Sequence, residues 1–153
     1  MIGPEIRQSI QESILCWLAT VNPQGEPNVS PKEMFVAYGE QSVLIANIAS
    51  PKSVANIAEN SSVCLSFVNV FKQKGFKLKG KAKIIRSSDA NYESMLQALR
   101  VLGGEAFPIN SIIEVTVKDA EPIIAPSYWL FPDTTEQSQI AQAMKSYGVK
   151  PLV

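Results

Sequence analysis

Three short runs that predict strands lie early in the chain and are separated by turns alone, and this spacing most limits the folds available. The runs cover residues 14–21, 29–38 and 43–48, and the linking segments contain Pro23, Gly25 and Gly39. Parallel strands need crossover connections of about a dozen residues or more, whereas antiparallel strands can follow one another through tight turns. The spacing therefore predicts an antiparallel sheet rather than a doubly wound parallel one.

Three more runs predict strands at residues 63–70, 76–84 and 112–117, with residues 122–125 as an extension of the last strand after a break. The run 76–84 alternates, with apolar residues on one face and lysines on the other. Six short strands with few intervening helices predict a mainly β fold, an antiparallel barrel with peripheral helices. The chain of 153 residues fits a single domain, residues 1–153.

Four segments have helical spacing of their apolar residues, at residues 4–13, 51–58, 88–103 and 134–147. The second is preceded by Ser50 as a candidate cap and begins with Pro51, which suits a first helical position. Gly103 and Gly104 predict the end of the third.

The absence of histidine excludes several function classes at once. It removes histidine-based catalysis, most zinc sites and haem ligation by a protein imidazole. The acidic residues are scattered, so no metal site is predicted. Cys16 and Cys64 lie within apolar runs and are predicted to be buried, although the sequence leaves a disulfide open.

Charge and hydropathy patterns bear on partners and location. The 14 basic and 14 acidic residues balance, so no general attraction to nucleic acid or to an anionic membrane is expected. No secretory signal pattern and no apolar run near 20 residues is present, which predicts a cytoplasmic protein without a membrane partner.

The segment Ser50-Pro51-Lys52-Ser53 is the best local candidate for anion binding. A helix N-terminus offers free backbone N–H groups and partial positive charge, to which two hydroxyls and a lysine are added here. The alternative is ordinary capping of a surface helix with an exposed lysine.

Residues 60–88 contain no acidic residue but seven basic ones. For the lysines at 77–83 we favour a solvated strand face over a nucleic-acid surface, because aromatic residues are few and the chain is neutral. The turn Lys72-Gln73-Lys74 is a candidate for ligand contact.

The two tryptophans have different expected roles. Trp17 lies mid-strand and is predicted to be in the core. Trp129 lies between Pro126 and Pro132 in a segment expected to be extended, where it could cover a flat ring system or a partner subunit.

Three segments, in order, give the chain a family likeness. They are Glu26-Pro-Asn-Val-Ser-Pro31, the stretch from Leu44 to Ile57 with Ser-Pro-Lys-Ser, and Phe71-Lys-Gln-Lys-Gly-Phe-Lys-Leu-Lys-Gly-Lys-Ala82. In combination they resemble the pyridoxamine 5'-phosphate oxidase-like superfamily of FMN-binding split barrels. The resemblance covers residues 14–117.

The resemblance implies a mainly β fold, a six-stranded antiparallel split β-barrel with peripheral helices. The resemblance also implies FMN as cofactor and a homodimer with two flavin sites at the subunit interface. It places the flavin phosphate at Ser50 and Lys52, where Pro51 replaces a common arginine and Ser53 could take over its contact. It places Val29, Ser30 and Pro31 along the flavin ring, with Gln73 and Lys74 reaching it from the second subunit. The full set of candidate cofactor residues is Asn28, Val29, Ser30, Pro31, Lys32, Ala46, Asn47, Ser50, Lys52, Ser53, Gln73, Lys74 and Trp129.

The chain departs from the true vitamin B6 oxidases, because it has no histidine and no arginine after Arg100. The expected function is an FMN-dependent oxidoreductase of unknown substrate, not a pyridoxamine phosphate oxidase. The alternatives are a flavin-binding module without catalysis, a deazaflavin-dependent protein on the same fold and a nucleic-acid-binding barrel.

Overall fold

The computed structural model describes residues 1–152. Over these residues the strands are β1 (Cys16–Val21), β2 (Pro27–Lys32), β3 (Phe35–Tyr38), β4 (Ser42–Asn47), β5 (Ser62–Asn69), β6 (Lys74–Ile85) and β7 (Ser111–Ile124). The helices of the same part of the chain are α1 (Pro4–Glu12), α2 (Pro51–Glu59), α3 (Tyr92–Gly103), α4 (Ser127–Leu130) and α5 (Glu136–Tyr147).

The strands form one antiparallel sheet in the order β2-β1-β5-β6-β7-β4-β3. The long strands β6 and β7 pair along their whole length and connect the two halves of the sheet. A register shift between Lys79 and Gly80 sets one extra residue, Lys118, into β7, and such a bulge bends a strand pair. The predicted mainly β split barrel with peripheral helices is confirmed. The break predicted after residue 117 is a bulge within one continuous strand.

The described chain has seven strands rather than six, because the predicted strand 29–38 is divided at Glu33 and Met34. Its first part, β2, pairs with β1 at one edge of the sheet, and its second part, β3, pairs with β4 at the other. Met34, between β2 and β3, is buried, and its carbonyl accepts a hydrogen bond from the Ala46 N–H at 3.0 Å. The sequence of residues 29–38 does not show which strand each of its two parts pairs with.

Two clusters of buried side chains form the interior. The larger one fills the barrel with residues such as Leu18, Leu65, Leu78 and Ile113. Helix α1 covers this cluster with Ile6 and Ile10, which lie four positions apart. The smaller lies under α3, where Met95 and Leu99 pack on Leu44 and Ile112. Helix α3 starts at Tyr92, later than predicted, since a turn first forms in which the Asp89 carboxylate accepts the Arg86 N–H at 2.7 Å.

Three expectations about single residues are wrong. Trp17 is 44 % exposed, because Cys16 and Leu18 on either side of it point into the barrel and alternation turns it outward. Cys64 is half-buried rather than buried, while Cys16 is buried as predicted, and both thiols are free. Trp129 lies in the short helix α4 rather than in an extended segment.

Three lysines of β6 face carboxylates on the neighbouring strand. Lys77 and Lys79 hold the Glu121 carboxylate at 2.8 and 2.9 Å, and Lys83 lies 3.8 Å from Glu114. The hydrogen bonds from Lys77 and Lys79 lower the pKa of Glu121 to about 2. Cross-strand carboxylates therefore compensate much of the charge on this strand.

Within residues 1–152, no helix combines the length and the apolar character needed to cross a membrane.

Candidate functional site

The end of β2 and the start of α2 bring four polar side chains together. Ser30 and Lys32 are two residues apart on one strand, so their side chains lie on the same face. The Lys32 ammonium donates to the Ser30 hydroxyl at 2.8 Å and also to the Ser50 hydroxyl. The Ser30 and Ser53 hydroxyl oxygens are 3.1 Å apart. We call Ser30, Lys32, Ser50 and Ser53 the lysine–serine cluster.

Local structure fixes the direction in which α2 enters the cluster. Ser50 precedes the helix without capping it by its side chain, because its hydroxyl accepts from Lys32 instead. The Ser50 N–H donates to the Asn47 side-chain oxygen at 3.2 Å, and the Asn47 amide donates to the Ser111 hydroxyl at 2.8 Å. The start of the helix is thereby tied to β4 and β7.

A second contact holds α2 against the barrel. The Asn56 amide donates to the Thr20 hydroxyl of β1 at 3.0 Å, and both groups are buried. Ile57 on the same helix is part of the core. Sheet and helix are thus joined at both ends of α2, so the cluster sits on rigid elements.

Lys32 is a buried cation. Its residue is only 6 % exposed, and the ion pairs found over residues 1–152 involve other lysines. Burial lowers its pKa, and the neighbouring Cys16 opposes this only in part. Hydroxyl groups solvate an ammonium without neutralising it, so a low-polarity setting of this kind favours an added anion.

A pocket of about 260 Å³ opens beside the cluster. Its lining residues are Pro31, Lys32, Glu33, Met34, Ala46, Ile48, Ala49, Ser50 and Phe107. Four of them, Pro31, Lys32, Ala46 and Ser50, are sequence-predicted cofactor residues from separate parts of the chain. The fold therefore brings the end of β2, the end of β4 and the residue before α2 to one cavity.

Phe107 lines this pocket and was missed by the sequence analysis. It lies in the loop between α3 and β7, is 54 % exposed, and its carbonyl accepts a hydrogen bond from the Arg100 guanidinium at 2.8 Å. The sequence feature that could have identified Phe107 is an aromatic residue in a loop bounded by Gly104 and Pro108.

The remaining predicted residues near the cluster have different exposures. Ser53 and Asn47 are buried, whereas Val29 is exposed on β2 and Asn28 is half-buried. Lys52 is exposed in the first turn of α2 and donates no hydrogen bond to any residue in the described range 1–152. Of the two lysines near Ser50, Lys32 is the one in contact with the hydroxyls.

Gln73, Lys74 and Trp129 lie elsewhere in the chain. Gln73 has a φ of 53° in the turn between β5 and β6, and two strands, β1 and β5, separate β6 from β2. The Lys74 ammonium lies 4.4 Å from the centre of the Tyr128 ring and 3.0 Å from Glu136. None of these three residues lines the pocket beside the cluster within its own chain.

A second cavity lies on the outer face of the sheet. It has a volume of about 420 Å³ and an apolar lining that includes Ile14, Trp17, Val70 and Phe71. Ile14, Trp17 and Val70 are all exposed. This outer face, defined by Ile14, Trp17, Val70 and Phe71, is thus an uncovered apolar surface.

The sequence profile of the pyridoxamine 5'-phosphate oxidase family matches residues 2–123. The chain belongs to this family. The likeness inferred from the three sequence segments is thereby confirmed. No curated protein sequence matches the chain significantly.

Solved structures share the fold at low sequence identity. HupZ of Group A Streptococcus is 21 % identical, with a TM-score of 0.70 over 82 % of this chain and 96 % of that one. An FMN-binding protein from Syntrophomonas wolfei is 16 % identical, with a TM-score of 0.64 over 76 % and 82 %. The heme storage protein HutZ from Vibrio cholerae is 23 % identical, with a TM-score of 0.61 over 80 % and 94 %.

Proposed function

We propose that this chain is an FMN-binding flavoprotein that holds the flavin phosphate at the lysine–serine cluster. The observation that supports this best is the convergence of Pro31, Lys32, Ala46 and Ser50 on one pocket at the start of α2. These residues were selected from the sequence through the family likeness, and they come from two separate regions, residues 31–32 and 46–50.

The chemistry of the cluster suits a phosphate monoester, which carries a charge of about −1.5 to −2 at neutral pH. The first turn of α2 leaves the backbone N–H groups of Lys52 and Ser53 without partners inside the helix. The hydroxyls of Ser50 and Ser53 and the ammonium of Lys32 add further donors. Helix terminus, hydroxyls and cation therefore all favour the same kind of group.

Bound FMN would supply electron or hydride transfer, and the chain would bind and orient it. Pro31, Ala46 and Phe107 offer apolar surface next to the cluster for the ring system. Lys32 would place a positive charge near the cofactor. Among the pocket residues no group is assigned as a protein acid or base, so we propose an oxidoreductase without naming a substrate.

Heme storage and pyridoxamine phosphate oxidation are less well supported as functions of this chain. One solved relative is a heme storage protein, but this chain contains no histidine to ligate haem iron. Pyridoxamine phosphate oxidation is also not expected, because no arginine follows Arg100. We expect a turnover with pyridoxamine phosphate far below about 1 per second, the low end of ordinary enzymes.

We further propose that the working unit is a homodimer. The pocket of about 260 Å³ is smaller than the roughly 300–1,000 Å³ typical of ligand sites, so one chain encloses only part of a flavin. The apolar outer face around Trp17 offers a surface for a second copy. Gln73 and Lys74, which do not reach the pocket of their own chain, are candidates to complete the site of the other.

The absorbance spectrum of the freshly purified protein tests the cofactor. We expect the bands of oxidised flavin, and a deazaflavin spectrum would support the alternative cofactor instead. Calorimetry should then show that FMN binds at least about tenfold more tightly than riboflavin, since one charge-assisted contact is worth roughly 1.5–3 kcal/mol. Equal affinities would contradict the phosphate site.

Stopped-flow mixing of the holoprotein with NADH or NADPH separates an oxidoreductase from a passive flavin carrier. Bleaching of the flavin within the turnover time of ordinary enzymes is the result expected for an oxidoreductase. A flavin that neither nicotinamide reduces, but that stays tightly bound, would favour the carrier or sensor.

A further inference from the structure

We infer that Lys32, and not the Lys52 of the Ser-x-Lys segment, supplies the charge that selects a phosphorylated flavin. This inference rests on the proposed flavin site and assigns the specificity within it. The two lysines are a natural pair for comparison, because both lie close to Ser50 and both carry one charge.

The contacts of the two lysines differ. The Lys32 ammonium reaches the Ser30 hydroxyl at 2.8 Å and the Ser50 hydroxyl, and Lys32 lines the pocket. The Lys52 side chain is exposed. A charge in water is screened within about a Debye length, whereas a desolvated charge acts at close to full strength on a bound anion.

The surroundings of Lys32 are suited to an anion that is not part of the chain. Its hydrogen-bond acceptors are hydroxyls, and the Ser30 hydroxyl is itself 3.1 Å from the Ser53 hydroxyl. A serine hydroxyl can donate and accept, so both could turn toward phosphate oxygens once an anion is present. Over residues 1–152, no carboxylate lies within ion-pair distance of this ammonium.

A buried cation without a counter-charge lowers the stability of the empty protein. Methionine has a similar length and no charge, so Lys32→Met should leave the empty protein as stable as before or more stable. The same change removes the partner of the phosphate. Replacing Lys32 by Met should therefore have opposite effects on the stability of the empty protein and on FMN affinity. Replacing a residue with a purely structural role would not have this result.

The test compares Lys32→Met, Lys52→Met and, as a matched control, Lys118→Met, whose lysine is exposed on β7 away from the pocket. Fluorescence titration gives the Kd for FMN and for riboflavin, and thermal unfolding gives the Tm of the empty protein. For Lys32→Met we expect FMN affinity to fall at least about tenfold, riboflavin affinity to change less than about twofold, and Tm to stay or rise. Lys52→Met should lose less FMN affinity, and Lys118→Met none.

Several results would overturn the inference while leaving the proposed flavin function intact. These are an equal loss of FMN and riboflavin in Lys32→Met, a loss of FMN affinity together with a lower Tm, or a larger loss in Lys52→Met. Should Lys32→Met fail to fold, Lys32→Gln keeps the polar contacts without the charge, and the same criteria apply.

If the wild type binds neither flavin, the proposed function fails and inorganic phosphate decides the inference alone. A rise of Tm with phosphate in the wild type that is absent in Lys32→Met would support Lys32 as an anion site. No rise in the wild type would overturn it.

Discussion

The hydroxyl oxygens of Ser30 on β2 and Ser53 in the first turn of α2 lie 3.1 Å apart, and they join the helix to an edge strand of the sheet. Ser53 is 1 % exposed and Ser30 is half-buried, so this contact is partly shielded from solvent. The pair lies beneath the Lys32 ammonium, which donates to Ser30. The position of the proposed anion site therefore depends on a contact between two neutral side chains.

The two serines should be coupled in stability. We expect Ser30→Ala and Ser53→Ala each to lower the free energy of unfolding by about 1 kcal/mol, and the double variant to lose less than the sum by roughly 0.5–1.5 kcal/mol. Urea unfolding of the four proteins measures the coupling. Ser88→Ala, at an exposed serine outside the site, is the control and should change little. Strict additivity of the two losses would show that the hydroxyls do not interact.

Gly75 should not tolerate a side chain. A Cβ atom at this position would lie 1.9 Å from the Phe67 carbonyl oxygen and 2.7 Å from the Val68 Cα, and backbone atoms of a paired strand cannot move independently. We expect Gly75→Ala to lower the free energy of unfolding by about 3 kcal/mol or more, measured by urea unfolding. Gly3→Ala is the matched control, because nothing lies within 4 Å of its Cβ position. Equal effects of the two substitutions would contradict the close β5–β6 pairing.

Lys32 should make stability depend on pH at the alkaline end. Burial lowers its pKa below the ordinary 10.5, so between the two values the unfolded chain binds more protons than the folded one. The cost of the buried charge is therefore fully present at neutral pH and is relieved as the pH rises toward 10.5. Cys16, the neighbouring titratable group, stays protonated over this range because burial raises its pKa to about 12.

The difference in stability between Lys32→Met and the wild type should therefore become smaller as the pH rises. We expect the stability advantage of Lys32→Met over the wild type, determined by urea unfolding, to be larger at pH 7 than at pH 10. The Lys118→Met variant corrects for titration of exposed lysines and should track the wild type at both values. An advantage that grows with pH would mean that the folded protein does not disfavour the charged form of Lys32.

The sequence predicted the strands well where short turns connect them. The antiparallel class, the alternation along β6 and the position of α2 after Ser50 all depend on local periodicity and turn residues, and each is confirmed. The division of residues 29–38 was not predictable in this way, because only Glu33 and Met34 lie between β2 and β3 and only the strand order shows that they pair with different partners. Trp17 was misplaced for a related reason, since alternation gives two faces without saying which one is inside.

The candidate site was predictable in part. Family likeness selected Ser30 and Lys32 from one segment and Ser50 from another, and the fold brings them into contact. Neither motif nor spacing could show that Lys32 is buried while Lys52 is exposed, because burial depends on how α2 packs on the end of β2. Phe107 was missed because its loop meets the pocket only through the tertiary fold.

We predict that the chain is a homodimer joined through the apolar outer face that contains Trp17. Light scattering at micromolar concentration should give twice the mass of one chain. Trp17→Glu sets a charge beside exposed Ile14 and Val70, so it should yield monomers and also weaken FMN binding, because Gln73 and Lys74 of a second chain would be lost. Val101→Glu, at an exposed apolar residue on α3, is the control and should remain dimeric. A wild type that is monomeric with flavin still bound would contradict the shared site.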